Sequence, residues 1–152
     1  MEELEELKKE LEEVLEKVNK KLEDEEKYYT IDHDGEIIYD TDDSYDVDIF
    51  NKKIGNYFKT EKEAEEYLED LKVKTEIKKI AKELNGDDKI DWKDVNKAKY
   101  YLRYSHRATN IVCNYENSYQ AEGVTYCLDG DFRRVCIERI GEERLKKYLK
   151  RN

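Results

Sequence analysis

Residues 27–40 read KYYTIDHDGEIIYD, and this stretch decides the fold. Two runs rich in tyrosine, isoleucine and threonine flank Asp34-Gly35. Such residues suit a pleated, half-buried surface. Asp-Gly between them signals a hairpin, because a type I′ turn needs positive φ at both central residues. The spacing predicts strands at 28–32 and 36–40. TDDSYDVDIF (41–50) follows as an acidic loop or irregular edge, and a third strand is predicted at 56–59, after Gly55. Thr60-Glu61-Lys62-Glu63 has the form of a capping box, with Thr60 as N-cap and Glu63 reaching back. The helix it opens carries Ala64, Tyr67, Leu68 and Leu71 on one face, runs on through Ile77, Ile80, Ala81 and Leu84, and closes at Asn85-Gly86.

The second half repeats this plan. KYYLRY at 99–104 echoes KYYTID at 27–32. Further strands are predicted at 110–115 and 124–128, and Gly123 stands before the latter as Gly55 does before 56–59. Asp129 is placed as the cap of a helix carrying Phe132, Val135, Cys136 and Ile140. Gly141 breaks it, and 142–150 form a last helix. The predicted class is α+β: an N-terminal coiled-coil helix (1–26), a first ββ(β)α unit (27–86), a linker (87–98) and a second ββ(β)α unit (99–152), with one continuous antiparallel sheet covered by helices. Trp92, the only tryptophan, sits in the linker as a plug between the units.

Upstream of the hairpin, Leu4, Leu7, Leu11, Val14 and Val18 step by three and four, with Leu15 and Leu22 beside them. This is a heptad seam in a segment otherwise made of glutamate and lysine. So narrow a stripe needs a partner. A second copy of the helix and a groove on its own domain both qualify, and self-association into a homo-oligomer is the expectation.

Charge is 45% of the chain and apolar residues 38%, a balance that resembles disorder, but the 13 tyrosines require a core. No apolar run is long enough for a membrane span, and MEELEELKKE is neither a signal nor a transit peptide. Cys113, Cys127 and Cys136 are odd in number and have no metal-ligand spacing, so they read as buried thiols in a reducing cytoplasm. Residues 1–26 carry a balance of −7, whereas residues 99–152 carry +4 and every arginine lies at 103 or beyond. This asymmetry suggests two surfaces of opposite sign.

No nucleophile elbow, P-loop or zincin motif occurs. Around Gly35 a calcium loop would start at Thr30 and end at Thr41, so it lacks both its first carboxylate and its bidentate glutamate. His33 and His106 have no partner at ligand spacing. Cys113 and His106 are a nucleophile and base only by nearness in sequence. No enzyme, cofactor or metal is therefore expected.

Two surfaces remain as candidates. Residues 32–48 hold eight carboxylates and no lysine or arginine. Charge runs are usually solvated loops. Read functionally, Asp40, Asp42, Asp43, Asp46 and Asp48 form an acidic surface that engages a basic cleft on a nucleic-acid-binding partner, with carboxylates standing in for phosphates. In the second half, Arg103, Arg107, Arg133, Arg134 and Arg139 accompany Tyr100, Tyr101, Tyr104, Tyr115 and Tyr119, a set suited to nucleic acid or a nucleotide. The competing reading packs the tyrosines inside and solvates the arginines outside, and it is preferred.

The charged coiled coil, DGEI, GNYFKTEKEAEEYLEDLKV, KYYL, GVTYC and IERIGEERLKKYL together resemble a small accessory domain of phages and prophages of low-GC Gram-positive bacteria. The resemblance spans nearly the whole chain. Its family is largely uncharacterised, so it implies a phage setting in a bacterial cytoplasm rather than an activity. Two departures are the junction CLDGDF, where FKTEEEA is the nearer expectation, and the pair Arg133-Arg134. The function expected is a phage binding protein that inhibits a host antiviral defence protein, of anti-CRISPR type, through the acidic surface. The alternatives are a nucleotide or nucleic-acid module and a coiled-coil assembly adaptor.

Overall fold

A computed structural model describes residues 1–152, apart from the side chains of Glu2 and Glu25. The protein is α+β, with helices α1 (Glu2–Glu26), α2 (Asp46–Ile54), α3 (Glu61–Asn85), α4 (Phe132–Ile140) and α5 (Glu142–Arg151), and strands β1 (Lys27–Ile31), β2 (Ile37–Thr41), β3 (Lys99–Ser105) and β4 (Asn110–Glu116). The chain divides into two compact units, 1–68 and 69–152, with the division falling inside α3.

In unit 1, β1 and β2 pair antiparallel, Tyr29 opposite Tyr39. Their connection is a five-residue loop rather than a two-residue type I′ turn. Only Gly35 takes positive φ (80°), while the Asp32 carboxylate accepts the amides of Asp34 and Glu36 at 2.9 Å each. The predicted third strand shrinks to one bridge, Phe58 to Tyr29, with both N–H···O bonds made at 2.8 and 2.9 Å. Beyond it the Asn56 side-chain amide replaces the backbone, accepting from Ile31 N–H and donating to Ile31 C=O, each at 2.8 Å.

Residues 46–54 form a helix, not an irregular edge. Asp46 and Asp48 lie in its first turn and Lys52 and Lys53 in its last, which suits the helix dipole. Gly55 closes α2 at φ 75°. The capping box of α3 is as expected: Glu63 N–H donates to Thr60 Oγ1 (3.2 Å), and Thr60 N–H donates to Glu63 Oε2 (3.3 Å).

Unit 2 pairs β3 with β4, Tyr100 opposite Tyr115, and here too the third strand is a single bridge, Cys127 to Tyr100. Leu128 N–H turns away to Asn85 Oδ1 at 2.8 Å. The sheets are therefore two separate two-stranded ones, not one continuous sheet. α4 begins at Phe132, three residues after the expected cap; Asp129 instead holds the turn before it, accepting Asp131 N–H on its carboxylate and Phe132 N–H on its carbonyl.

The duplication of the ββα plan is real, but its register differs from the echo of letters. Tyr29 corresponds to Tyr100, because each bridges the third segment and faces a tyrosine across the hairpin. Tyr28 then corresponds to Lys99, and both are fully buried.

The core of unit 2 joins Val73, Ile77, Ile80 and Ala81 of α3 to Leu102, Ile111, Cys127, Phe132, Cys136, Ile140 and Leu145. The anticipated helix face is partly corrected: Ala64 is buried, whereas Tyr67 and Leu71 are nearly half exposed. Trp92 belongs to unit 2, where it meets Tyr126 edge-on at 4.8 Å. α1 has no buried residue among those described; Leu4, Leu7 and Leu11 are each more than 60% exposed. Among the described residues no helix is long and apolar enough to cross a membrane.

Candidate functional site

The five aspartates expected on one acidic surface separate into two kinds. Asp48 is 2% exposed, because α2 turns it inward. Its carboxylate accepts Tyr28 Oη–H at 2.7 Å and Tyr45 N–H at 3.0 Å, and Asn51 Nδ2 donates to Tyr28 Oη at 3.3 Å. Asp42 is also structural. It accepts Tyr57 Oη–H at 2.8 Å and pairs with Lys52 Nζ at 2.5 Å. Lys52 holds the Asp42 carboxyl below the usual carboxylate range, with Tyr57 adding to the effect. Burial, then Asp42, pushes the Tyr57 phenol up to about 12. Burial likewise raises Tyr28, which stacks on Tyr57 at 4.3 Å. Asp42 and Asp48 thus build the corner between hairpin and α2 and are withdrawn from the surface.

Asp40, Asp43 and Asp46 are exposed, and none has a lysine or arginine partner among the described residues. Asp40 accepts only Thr41 N–H. Asp34 and Glu36 extend the exposed acidic edge. Asp32, His33 and Asp34 bring one ligand atom each within 4.8 Å of one another, but the Asp32 carboxylate already serves the loop amides.

The arginines divide in the same manner. Arg133 donates to Ile111 C=O at 2.8 Å, and Arg134 is held by Asp131 and Glu138. Arg139 joins Glu76 and Glu83 of α3, and Arg144 and Arg151 join Glu69 and Asp70. These side chains fasten α4 and α5 to α3 inside unit 2. Arg103 and Arg107 remain exposed and unpaired among the described residues. Lys150 Nζ lies 4.8 Å from the Tyr104 ring centroid, and His106 meets Tyr104 edge-on. Tyr115 and Tyr119 are exposed, not core.

Cys113, Cys127 and Cys136 are free thiols raised by burial, Cys136 to about 12. A raised thiol is the opposite of an activated nucleophile, and no hydrogen bond joins Cys113 to His106 among the described residues.

Sequence reading missed two features. One is the apolar outer face of α2, Val47, Phe50 and Ile54, each more than half exposed; their i, i+3, i+7 spacing was its signal. The other is Lys99, fully buried at the start of β3. Comparison with protein-family models, with curated proteins and with solved structures finds no match to this chain.

Proposed function

We propose that this chain is a binding protein that assembles through α1 and offers the exposed carboxylates of unit 1 to a basic partner. The observation that carries the reading is α1 itself. It runs 25 residues with its whole apolar seam, Leu4, Leu7, Leu11, Val14 and Val18, in water. Burying one such side chain contributes about 1.5–3 kcal/mol, and a second copy of the helix matches the seam residue for residue. The partner-facing surface is then Asp40, Asp43 and Asp46 with Asp34 and Glu36. The phage resemblance points it toward a nucleic-acid-handling defence protein of the host, in the bacterial cytoplasm, as in anti-CRISPR inhibition.

Light scattering is the test of assembly. The full chain should be at least a dimer at micromolar concentration, and Leu7→Glu with Leu11→Glu should make it monomeric while the circular dichroism of the remainder persists. A full-length monomer would sink the reading. For the acidic surface, Asp43→Asn with Asp46→Asn should weaken capture of the host partner and flatten its salt dependence. Loss on changing Arg103 and Arg107, with none at the aspartates, would favour the nucleic-acid or nucleotide alternative, which their unpaired charge supports. If only the α1 variants matter, the chain is an assembly adaptor.

A further inference from the structure

The β3–β4 hairpin uses its two faces differently. Leu102, Ile111 and Cys113 turn to the core of unit 2, so Lys99, Tyr101 and Glu116 alternate to the other face. Over that face lie Trp92 and the segment ending at Tyr126. Tyr126 meets Trp92 at 4.8 Å and Tyr101 at 5.5 Å. A cavity of about 180 Å³ remains, lined by Tyr101, Glu116, Tyr119, Gln120, Ala121 and Tyr126. Ala121 N–H donates to Tyr126 Oη at 3.0 Å and fixes the segment over the rings.

Glu116 is half-buried, and its carboxylate has no hydrogen-bond or ion-pair partner among the described residues. The nearest cation in strand register is Lys99. Its ammonium is already committed to the carbonyls of Asp94 (2.5 Å) and Asn117 (2.8 Å), and it lies 5.4 Å from the Trp92 centroid. Its field opposes a second cation, and Glu116 offsets that field.

Three tyrosine side chains and one uncommitted carboxylate line the cavity and select the ligand. An anion would meet Glu116. A small, strongly hydrated ion would lose its water to rings that cannot replace it. A weakly hydrated organic cation keeps both the ring quadrupoles and the carboxylate. We infer that this cavity binds a methylated ammonium group, with Tyr101, Tyr119 and Tyr126 around it and Glu116 as counter-ion. The inference stands apart from assembly and from the acidic surface of unit 1.

A methylated ammonium could arrive as a free quaternary amine or as a methylated lysine. Trp92, the only tryptophan, packs on Tyr126 and reports occupancy by its fluorescence. The full-length protein is titrated with choline, with Nε-trimethyllysine and with 3,3-dimethyl-1-butanol, the neutral isostere of choline. Both cations should saturate in roughly the millimolar range, the tighter one naming the source, and the isostere should not. Glu116→Gln and Tyr119→Ala should each weaken binding about threefold or more; Tyr119 is 77% exposed, so its variant keeps the fold even if the other does not. Failure of both cations to saturate, equal binding of the isostere, or unchanged affinity in the folded variants would overturn the inference.

Discussion

Unit 1 and unit 2 share one ββα plan and fill it with different chemistry. Unit 2 closes over a contiguous apolar core from Val73 to Leu145. Unit 1 buries Tyr28 and Ala64 together with Thr30 and Asp48, and Thr30 Oγ1 has no partner among the described residues. Its order comes from Asp48, Asn51, Asp42 and Lys52 gripping two stacked tyrosines. Its apolar side chains, on α1 and on the outer face of α2, point to water. Apolar burial is the main favourable term in folding, so unit 2 carries its own stability while unit 1 gains most from being covered. One supersecondary pattern holds an apolar core in one half and a polar, tyrosine-centred one in the other.

The contrast can be broken by mutation. Phe132→Ala in the core of unit 2 should cost about 3–5 kcal/mol in thermal or urea unfolding, whereas Phe50→Ala on α2 should move stability by less than about 0.5 kcal/mol. Comparable losses would show that unit 1 has a core of equal weight. Lys99→Met should cost about 1.5–3 kcal/mol, since the carbonyls of Asp94 and Asn117 lose a charged donor; a neutral result would mean that water replaces the ammonium. Asp48→Ala should cost about 1–3 kcal/mol by stranding Tyr28, against less than about 0.5 kcal/mol for Asp43→Ala. Equal effects would return Asp48 to the solvated surface.

The smallest effects are in pH. Asp42 has a depressed folded pKa, so its contribution is present above the ordinary value of 3.8 and is lost as pH falls through the lower, folded one. Tyr57 is raised, so its contribution is complete below pH 10 and lost as pH climbs toward about 12. Asp42→Asn should flatten the acid limb and Tyr57→Phe the alkaline limb of unfolding midpoints measured against pH. Unchanged limbs would separate this pair from the stability of unit 1.

Elements whose signals are local were legible from the letters. The capping box at Thr60, the seam of α1 and the alternation around Asp34-Gly35 need only near neighbours. What was hidden depends on partners far along the chain. Asp48 reads as one more charge in an acidic run until Tyr28, twenty residues upstream, receives it. Arg139 reads as part of a basic surface until α3, more than fifty residues earlier, supplies its carboxylates. α2 was obscured because its aspartates suggested a loop, although Gly55 was in place to end a helix. The single bridges at Phe58 and Cys127 were missed because the side chains of Asn56 and Asn85 take over hydrogen bonds that a third strand would have made.

The one-residue offset between the halves has a consequence for anyone who would recombine them. An alignment by letters sets Lys27 over Lys99, whereas the bridges set Tyr28 over Lys99. A chimera spliced at the matching KYY would turn each strand over, since neighbouring side chains face opposite ways. It would set half-buried Lys27 in the place of fully buried Lys99. Joined instead with Tyr29 in the place of Tyr100, the foreign hairpin keeps buried Tyr28 in the place of buried Lys99 and its cross-strand tyrosine pair in register. The junction for such grafts is therefore written in hydrogen bonds, one position away from where the spelling puts it.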